Sequence, residues 1–255
     1  MIDAREVSRR ARELGVDPGH IETDHIMNCV LAAIADADPG LMFRGGTALA
    51  RAYWSDFRLS EDLDFLSDAR AADVEGVLRR AAESASRLAS VNLDLDFGPP
   101  KSGWSRSRVR STAGELLIDV NFGERAYLPL EDHLLVLPYS DLRDQPRTIR
   151  CVALAEILGN KWFMLADDER KEPRDLYDVW AGTCRFDVPF QELARGHKAK
   201  YGFFPNEGQL RQAQRLKDLW ETRLAHQLGE LPPFDEMYSA VRDRYAEWRT
   251  ASDSG

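Results

Sequence analysis

The chain has 255 residues, of which 44% are hydrophobic and 30% are charged, and its formal net charge is -9 at pH 7. This composition is typical of a globular protein with one large domain or two smaller ones, and no apolar run approaches the roughly 18 residues that a membrane span requires. The acidic balance argues against a protein whose whole surface is positive enough to bind duplex DNA but permits a local basic groove. Residues 1–15 are too charged for a secretory signal, so we expect a cytoplasmic protein that does not bind membranes.

The cysteines and histidines give no sign of a metal-binding cluster. The three cysteines are widely spaced without a CxxC pair, and the five histidines are scattered. A zinc site requires closely spaced ligands of these types, so none is predicted. We expect Cys29, Cys151 and Cys184 to be buried free thiols.

The N-terminal segment predicts two helices and a strand. Asp3 is expected to cap a first helix that stops at Gly15, and Asp17 with Pro18 to open a second helix that runs to about residue 37. The apolar segment 41–43 predicts a short strand. It leads directly into Gly45-Gly46-Thr47 and a helical stretch over 48–54.

The centre of the chain mixes strands and helices, whereas the C-terminal part is helical. Further strands are predicted around residues 63–65, 91–97, 104–110 and 115–122, with a helix over 73–89. Helices follow at about 151–167, 174–182, 188–198, 207–228 and 232–249. This order predicts an α+β fold, with a mixed sheet flanked by helices in residues 1–145 and a C-terminal helical bundle in residues 146–255.

Asp62 and Asp64 alternate with apolar residues in the segment 60–65. In a strand the two carboxylates share one face, while Leu63 and Phe65 face the core. Adjacent carboxylates repel each other unless a cation lies between them. Mg²⁺ needs only one or two carboxylates together with substrate phosphates, so the pair predicts a magnesium site. The alternative is a strand face exposed to water.

A glycine pair precedes these acids where a strand meets a helix. Gly45 and Gly46 let the backbone approach a triphosphate closely, and the N–H groups at a helix start favour anions. Thr47 would add a hydroxyl donor. The order strand, glycine pair, helix and strand would therefore bring a phosphate-binding turn next to Asp62 and Asp64.

The tetrapeptide DLDF occurs a second time, at residues 94–97. No glycine pair and helix precede this copy. We therefore expect Asp94 and Asp96 to lie on a solvated strand face, and we assign the chemistry to the first copy.

Asp119 lies in the otherwise apolar segment 116–122. An acid in such a strand requires a partner, and a metal shared with Asp62 and Asp64 would provide one. Asp119 would then help to deprotonate an attacking hydroxyl, and two metal ions would bind the attacking and leaving oxygens. The alternative is an acid at a sheet edge that faces water.

The helical part contributes further charged candidates. Lys161 lies in the apolar segment 153–165, where a triphosphate would explain the presence of an ammonium group, although a side chain that reaches solvent would explain it too. Arg174 and Asp178 are spaced i, i+4, which also fits an ordinary ion pair within a helix.

Residues 101–110 contain four cations and no acid. On a strand, one face would carry a basic strip that offers phosphate contacts and one aromatic ring for base stacking. Protection of a sheet edge by charge explains the pattern equally well. The strip comprises Trp104, Arg106, Arg108 and Arg110.

Two motifs in this order resemble a known family. FRGGTAL at 43–49 and RLSEDLDF at 58–65 resemble the AbiEii/AbiGii-type toxin nucleotidyltransferases, which include the MenT toxins and belong to the DNA polymerase β-like superfamily. Lys161 and RDLYDV at 174–179 are similar to that family's downstream lysine and Arg-Asp-x-Tyr-Asp motifs. Gly159-Asn160 departs from the helix formers that are more common there, and such a glycine costs a helix up to ~1 kcal/mol.

The resemblance, which spans roughly residues 20–182, implies a nucleotidyltransferase-like sheet, an NTP substrate and Mg²⁺ (two ions) as cofactor. Nucleotide binding would fall to Gly45, Gly46, Thr47, Ser60, Lys161 and Arg174. Metal binding would fall to Asp62, Asp64 and Asp119. Catalysis would involve these three acids, Lys161 and a further acid, Asp178 or in its place Asp175.

The resemblance also implies a toxin of a toxin–antitoxin or phage-defence system, with a cognate antitoxin as partner and RNA, in particular the 3′ end of tRNA, as acceptor. Two alternatives stay open. The acceptor hydroxyl would belong to a small molecule such as an aminoglycoside or to a protein, or the chain would be a scaffold that only binds a partner. A scaffold does not need the complete set of acids and Lys161, and the presence of this set weighs against it.

Overall fold

The computed structural model of the chain describes residues 2–37 and 40–253. The chain forms two compact units, the first from Met1–Ala126 and Leu130–Val152 and the second from Tyr127–Pro129 and Ala153–Gly255. The sequence places its domain boundary after residue 145. The first unit nevertheless includes Thr148–Cys151, because this segment is a strand of its sheet.

Two helices begin the first unit, as the sequence predicts. Helix α1 (Ala4–Leu14) is capped by Asp3, whose Oδ1 accepts a hydrogen bond from Glu6 N at 2.7 Å, and it ends at Gly15 with a left-handed backbone. Helix α2 (Pro18–Ala37) begins where Asp17 Oδ1 accepts from Gly19 N at 2.8 Å. Side-chain capping of this kind satisfies backbone N–H groups that have no partner within the helix.

The first unit is built around one mixed sheet of seven strands. Their order across the sheet is β3-β4-β5-β2-β1-β7-β6. The pairs β2–β5 and β1–β7 are parallel, and the other neighbours are antiparallel. The strands are β1 (Leu41–Arg44), β2 (Asp62–Ser67), β3 (Asp94–Asp96), β4 (Trp104–Ser111), β5 (Gly114–Asn121), β6 (Glu131–Leu134) and β7 (Thr148–Cys151).

Helices connect and cover these strands, which confirms the predicted α+β class. Helix α3 (Gly45–Ala48) follows β1 and continues as a π-helical turn, Leu49–Tyr53, so the helical stretch begins earlier than predicted. Helix α4 (Ala71–Ala89) packs against α2. Within the core, the rings of Phe43 and Phe65 stack with their centroids 5.2 Å apart.

Strands β6 and β7 are not predicted by the sequence. Segment Glu131–Leu134 has charged residues of low strand propensity, and it lies at the edge of the sheet, where only half of its side chains are covered. Segment Thr148–Cys151 alternates between exposed and buried side chains and pairs with β1. The helix predicted from residue 151 therefore begins only at Leu154.

The second unit is helical, as predicted, although the segment 207–228 is not one continuous helix. Two 3₁₀ stretches, Ala213–Leu219 and Ala225–Gln227, interrupt it. A π-helical turn, Ala181–Arg185, extends α6. The helices are α5 (Leu154–Met164), α6 (Arg174–Trp180), α7 (Phe190–Tyr201), α8 (Glu207–Gln212), α9 (Trp220–Leu224) and α10 (Phe234–Asp253).

The glycine that departs from the family pattern has a packing role. A Cβ at Gly159 on α5 would overlap the backbone nitrogen of His197 on α7, and one at Gly196 would overlap the carbonyl oxygen of Ala155. The two glycines therefore let the backbones of α5 and α7 touch. This close packing offsets the low helix propensity of Gly159.

The cysteines are free thiols. Burial raises the pKa of both Cys29 and Cys151 to about 12, which makes them inert near neutral pH. Cys184 is only half-buried, contrary to the expectation. Over residues 2–37 and 40–253, no helix is long and apolar enough to cross a membrane.

Candidate active site

Strand β2 presents Asp62 and Asp64 on one face of the sheet. Leu63 and Phe65, which alternate with them, are buried, and both acids are partly exposed. This is the alternation that the sequence predicts. Because β2 is a central strand between β1 and β5, the two acids stand in the middle of the sheet, with neighbouring strands on both sides.

Gly45 lies directly against Asp64. Its backbone has φ +79°, and a Cβ built at this position would overlap Asp64 Oδ2 and lie 3.0 Å from Asp64 Cβ. No side chain fits in this space, and the left-handed backbone also favours glycine. The glycine turn and the carboxylate pair therefore form one structural feature.

Gly46 faces two polar side chains from the segment before β2. A Cβ at Gly46 would lie 2.6 Å from Arg58 Nη2 and 3.3 Å from Ser60 Oγ. Arg58 is 2% exposed and donates from Nη1 to Leu59 O at 3.1 Å. This buried guanidinium beside the glycine turn was not assigned a role from the sequence, although it stands in the motif at residues 58–65.

Thr47 is buried, and its hydroxyl donates to the carbonyl oxygen of Asp62. This hydrogen bond ties helix α3 to the first residue of β2. The hydroxyl proton therefore has a partner within the protein, and Thr47 positions the strand that carries the acids. Its predicted contact with a nucleotide stays a prediction.

Asp119 lies beside Asp64 in the neighbouring parallel strand. The two residues are register partners, and β5 is itself paired on both sides. The alternative that Asp119 stands at a sheet edge facing water is therefore wrong. Its carboxylate instead receives two hydrogen bonds from Arg106 on β4, with Nε 2.9 Å from Oδ1 and Nη2 2.7 Å from Oδ2.

The carboxylates surround Arg106 with negative charge. The hydrogen bonds to Asp119 raise the pKa of the guanidinium, and the charges of Asp119, Asp62 and Asp64 raise it further, against the effect of burial. On the other side of Asp64, its register partner Arg44 donates to Glu124 at 2.8 Å. Arg106 thus pairs with Asp119, and Arg44 with Glu124.

The donors of this face suit Mg²⁺ only in part. Among the described residues, no group of three or more acids, histidines or cysteines is arranged to hold a metal ion. At Asp119, Arg106 engages both carboxylate oxygens. Asp62 and Asp64 alone still meet the requirement of Mg²⁺, which binds through one or two carboxylates plus substrate phosphates.

The second DLDF copy lies far along the sheet from this site. Strand β3 is the edge strand, with Asp94 and Asp96 exposed and Leu95 buried. Asp96 lies 3.6 Å from Arg110. The interpretation of this copy as a solvated strand face is confirmed.

The basic strip lies on β4, and each of its arginines has an acidic neighbour. Arg108 lies 3.5 Å from Glu115, and Arg110 donates to the same residue at 3.1 Å. Trp104 is 39% exposed, and its ring centre lies 4.9 Å from Arg106 Cζ. Because β4 is paired with β3 and β5, protection of a sheet edge does not explain the strip. RNA binding by it stays a prediction.

Lys161 is buried in the second unit, where it joins helices α5 and α6. Its Nζ lies 2.8 Å from Asp175 Oδ1 and 2.9 Å from Asp178 Oδ2. Arg170 Nε also donates to Asp175, at 2.7 Å. Burial opposes ionisation of Asp175, but Lys161 and Arg170 outweigh it and lower the pKa to about 2. The alternative that Lys161 reaches solvent is wrong.

The remaining candidate of this unit, Arg174, donates to Glu172 at 2.8 Å. Glu156 on α5 accepts hydrogen bonds from the backbone N–H groups of Tyr127 and Leu128 at 2.8 and 3.0 Å. Nucleotide contacts of Lys161 and Arg174, and the choice between Asp178 and Asp175 as essential acid, stay predictions.

A glycine turn pressed against one of two paired acids on a central strand is the arrangement that the resemblance to nucleotidyltransferases implies. The family comparison agrees, because the model described as nucleotidyl transferase AbiEii toxin, type IV TA system, matches residues 29–243. The chain belongs to this AbiEii family and is a nucleotidyltransferase toxin. Comparison with curated proteins finds no relative.

Proposed function

We propose that this toxin transfers a nucleoside monophosphate from an NTP to an RNA hydroxyl, the 3′ end of tRNA, in a reaction that depends on Mg²⁺. The observation that carries the proposal is the contact between Gly45 and Asp64, where any Cβ would overlap the carboxylate. It supports a site in which the backbone that receives phosphates adjoins the acids that bind their metal.

In this proposal the backbone at Gly45 and Gly46 holds the triphosphate, and Ser60 Oγ lies within reach of the same turn. Asp62 and Asp64 would hold Mg²⁺ together with the phosphates, and Asp119 would contribute to a second ion. When bound, Mg²⁺ would neutralise charge on the phosphates and lower the pKa of the acceptor hydroxyl.

The reaction forms one bond and breaks one. The acceptor hydroxyl oxygen attacks the α-phosphorus of the NTP, the bond from that phosphorus to the bridging oxygen of the β-phosphate breaks, and pyrophosphate leaves. Asp119 accepts the hydroxyl proton. The face around β2 orients the α-phosphate for this attack, because the glycine turn and the strand are fixed to each other by the hydrogen bond from Thr47 to Asp62.

We further propose that the basic strip on β4 binds the RNA backbone, with Trp104 available for base stacking. The cytoplasm is the expected location, since tRNA and NTPs are found together there. The type IV toxin–antitoxin family implies an antitoxin, and we propose that it counteracts this activity.

The decisive experiment incubates the protein with total tRNA, Mg²⁺ and each labelled NTP in turn. We expect label on RNA with wild type and a loss of at least about 100-fold with Asp62→Ala, in line with other substitutions that remove transition-state stabilisation. Asp94→Ala is the matched control, because it alters the same tetrapeptide at the exposed copy and should transfer normally. Absence of label under every NTP would remove RNA as the acceptor, and transfer that survives Asp62→Ala would overturn the metal site.

A further inference from the structure

The ion pair between Arg106 and Asp119 lies beside the proposed metal-binding pair. The antiparallel register of β4 and β5 places Arg106 opposite Asp119, and the parallel register of β5 and β2 places Asp119 beside Asp64. Both Asp119 oxygens accept from the guanidinium, at 2.9 and 2.7 Å. The three residues therefore form one row across three strands.

The cation in this row is accessible, whereas the acid is not. The side chain of Arg106 is 41% exposed and that of Asp119 only 14%. Trp104 lies against the guanidinium, with its ring centre 4.9 Å from Cζ. Arg106 is therefore the more solvent-exposed member of the pair, and Asp119 the more buried one.

A divalent cation and the guanidinium cannot both neutralise the same carboxylate without repelling each other at close range. We propose that Arg106 and the divalent cation compete for Asp119. The ion pair is the resting form, and metal binding frees the Arg106 guanidinium to bind RNA together with the rest of the basic strip. The inference rests on the proposed function, because it takes Asp62 and Asp64 as the metal-binding pair.

This exchange couples two steps of the reaction. Once the guanidinium has left both oxygens of Asp119, one oxygen would bind the cation and the other would be open to the hydroxyl proton, while Arg106 would become available for an RNA phosphate. Because coupling between two binding events is reciprocal, an acceptor that draws Arg106 away would tighten metal binding. The site would then be completed only when nucleotide, metal and acceptor are all present.

The test measures Mn²⁺ affinity by electron paramagnetic resonance, with neither NTP nor RNA present. Arg106→Gln should bind Mn²⁺ at least about fivefold more tightly than wild type, the lower end of the range for coupled sites. Arg106→Lys should lie between the two, since an ammonium does not form the paired hydrogen bonds of a guanidinium. Arg150→Gln is the matched control, because Arg150 forms a cross-strand pair with Asp132 at 3.5 Å elsewhere in the same sheet.

The outcomes separate this inference from the proposed function. Asp62→Asn should weaken Mn²⁺ binding; if it does not, the metal site is wrong and the competition falls with it. If Asp62→Asn weakens binding but Arg106→Gln binds Mn²⁺ no more tightly than wild type, the competition alone is wrong. In the absence of Asp119 the gain should disappear, so Arg106→Gln/Asp119→Asn should bind Mn²⁺ no more tightly than Asp119→Asn alone. Tighter binding by the double variant would also overturn the competition. If the protein does not label RNA, the proposed acceptor is wrong, but the Mn²⁺ affinities still decide whether Arg106 and the cation compete for Asp119.

Discussion

At the scale of single residues, Gly45 is the position where the fold and the proposed chemistry depend on the same atoms. Its left-handed backbone and its contact with Asp64 both exclude a side chain. The backbone conformation alone costs a non-glycine residue roughly 1–2 kcal/mol. The contact adds a displacement of the carboxylate, which would move it away from the phosphate-binding turn.

We therefore expect Gly45→Ala to abolish nucleotidyl transfer and to weaken Mn²⁺ binding. Gly40→Ala is the control, since Gly40 has φ +64° but no atom within 4 Å of the added Cβ. Gly40→Ala should lose about 1 kcal/mol of stability in urea unfolding and Gly45→Ala more than that, because of the added contact, but only Gly45→Ala should lose activity, by roughly 100-fold or more. Equal activity of the two variants would show that the contact with Asp64 does not matter for catalysis.

At the scale of elements, the sequence predicted those features that depend on local signals. Asp3 and Gly15 mark the ends of α1 because capping is decided within one turn of helix. Strands β6 and β7 were not predicted, because short strands with charged side chains are stabilised by neighbouring strands and carry little strand signal in their own residue pattern. The pair of aspartates on β2 was predictable from alternation.

Contacts between elements could not be predicted from the sequence. The register that places Asp119 beside Asp64 and opposite Arg106 depends on which strands become neighbours. The same holds for Lys161, whose apolar surroundings indicated a buried ammonium group but gave no sign that Asp175 and Asp178 are its partners.

These partners make Lys161 a link between α5 and α6, and we expect Lys161→Met to destabilise the protein by about 3–5 kcal/mol, the usual effect of removing one member of a buried ion pair. The loss would arise because buried Asp175 and Asp178 would be left without the ammonium group that pairs with both of them. Urea unfolding checks this, with Lys171→Met as control, since Lys171 is an exposed lysine of the loop between the two helices. An unchanged unfolding midpoint would mean that Lys161 has no structural role and would leave nucleotide binding as its function.

At the scale of the whole molecule, side chains whose pKa is shifted in the folded protein determine how stability changes with pH. The pKa values of Glu6, Asp175 and His197 are all lowered in the folded protein. A lowered pKa means that the unfolded chain binds the proton more tightly, so each group stabilises the fold above its ordinary pKa and loses this contribution as pH falls. Two windows result, one that begins near the ordinary histidine pKa of about 6.5 and one below about 4.5 for the carboxylates.

His197 accounts for the first window through a fixed chain of hydrogen bonds. Its Nδ1 donates to Phe203 O at 2.8 Å, so in the neutral ring Nε2 accepts from Gln209 Nε2 at 3.0 Å. The Gln209 amide is held in this orientation, because its oxygen accepts from Trp162 Nε1 and Asn206 N. Burial lowers the pKa of His197, against the hydrogen bond to Phe203 O, which raises it. A protonated ring would in addition direct a donor at the Gln209 amide donor.

We expect the free energy of unfolding of wild type to decrease between about pH 6.5 and pH 5 by up to ~1.4 kcal/mol per pH unit, the slope for one proton taken up on unfolding. His197→Gln should remove this slope, since glutamine can donate to Phe203 O and accept from Gln209 but does not titrate. Urea unfolding followed by tryptophan fluorescence measures both proteins, and four of the six tryptophans lie in the unit that contains His197. Parallel pH profiles of the two proteins would show that His197 does not govern this window, whereas the second window, below about pH 4.5, should persist in both because Asp175 and Glu6 are unchanged.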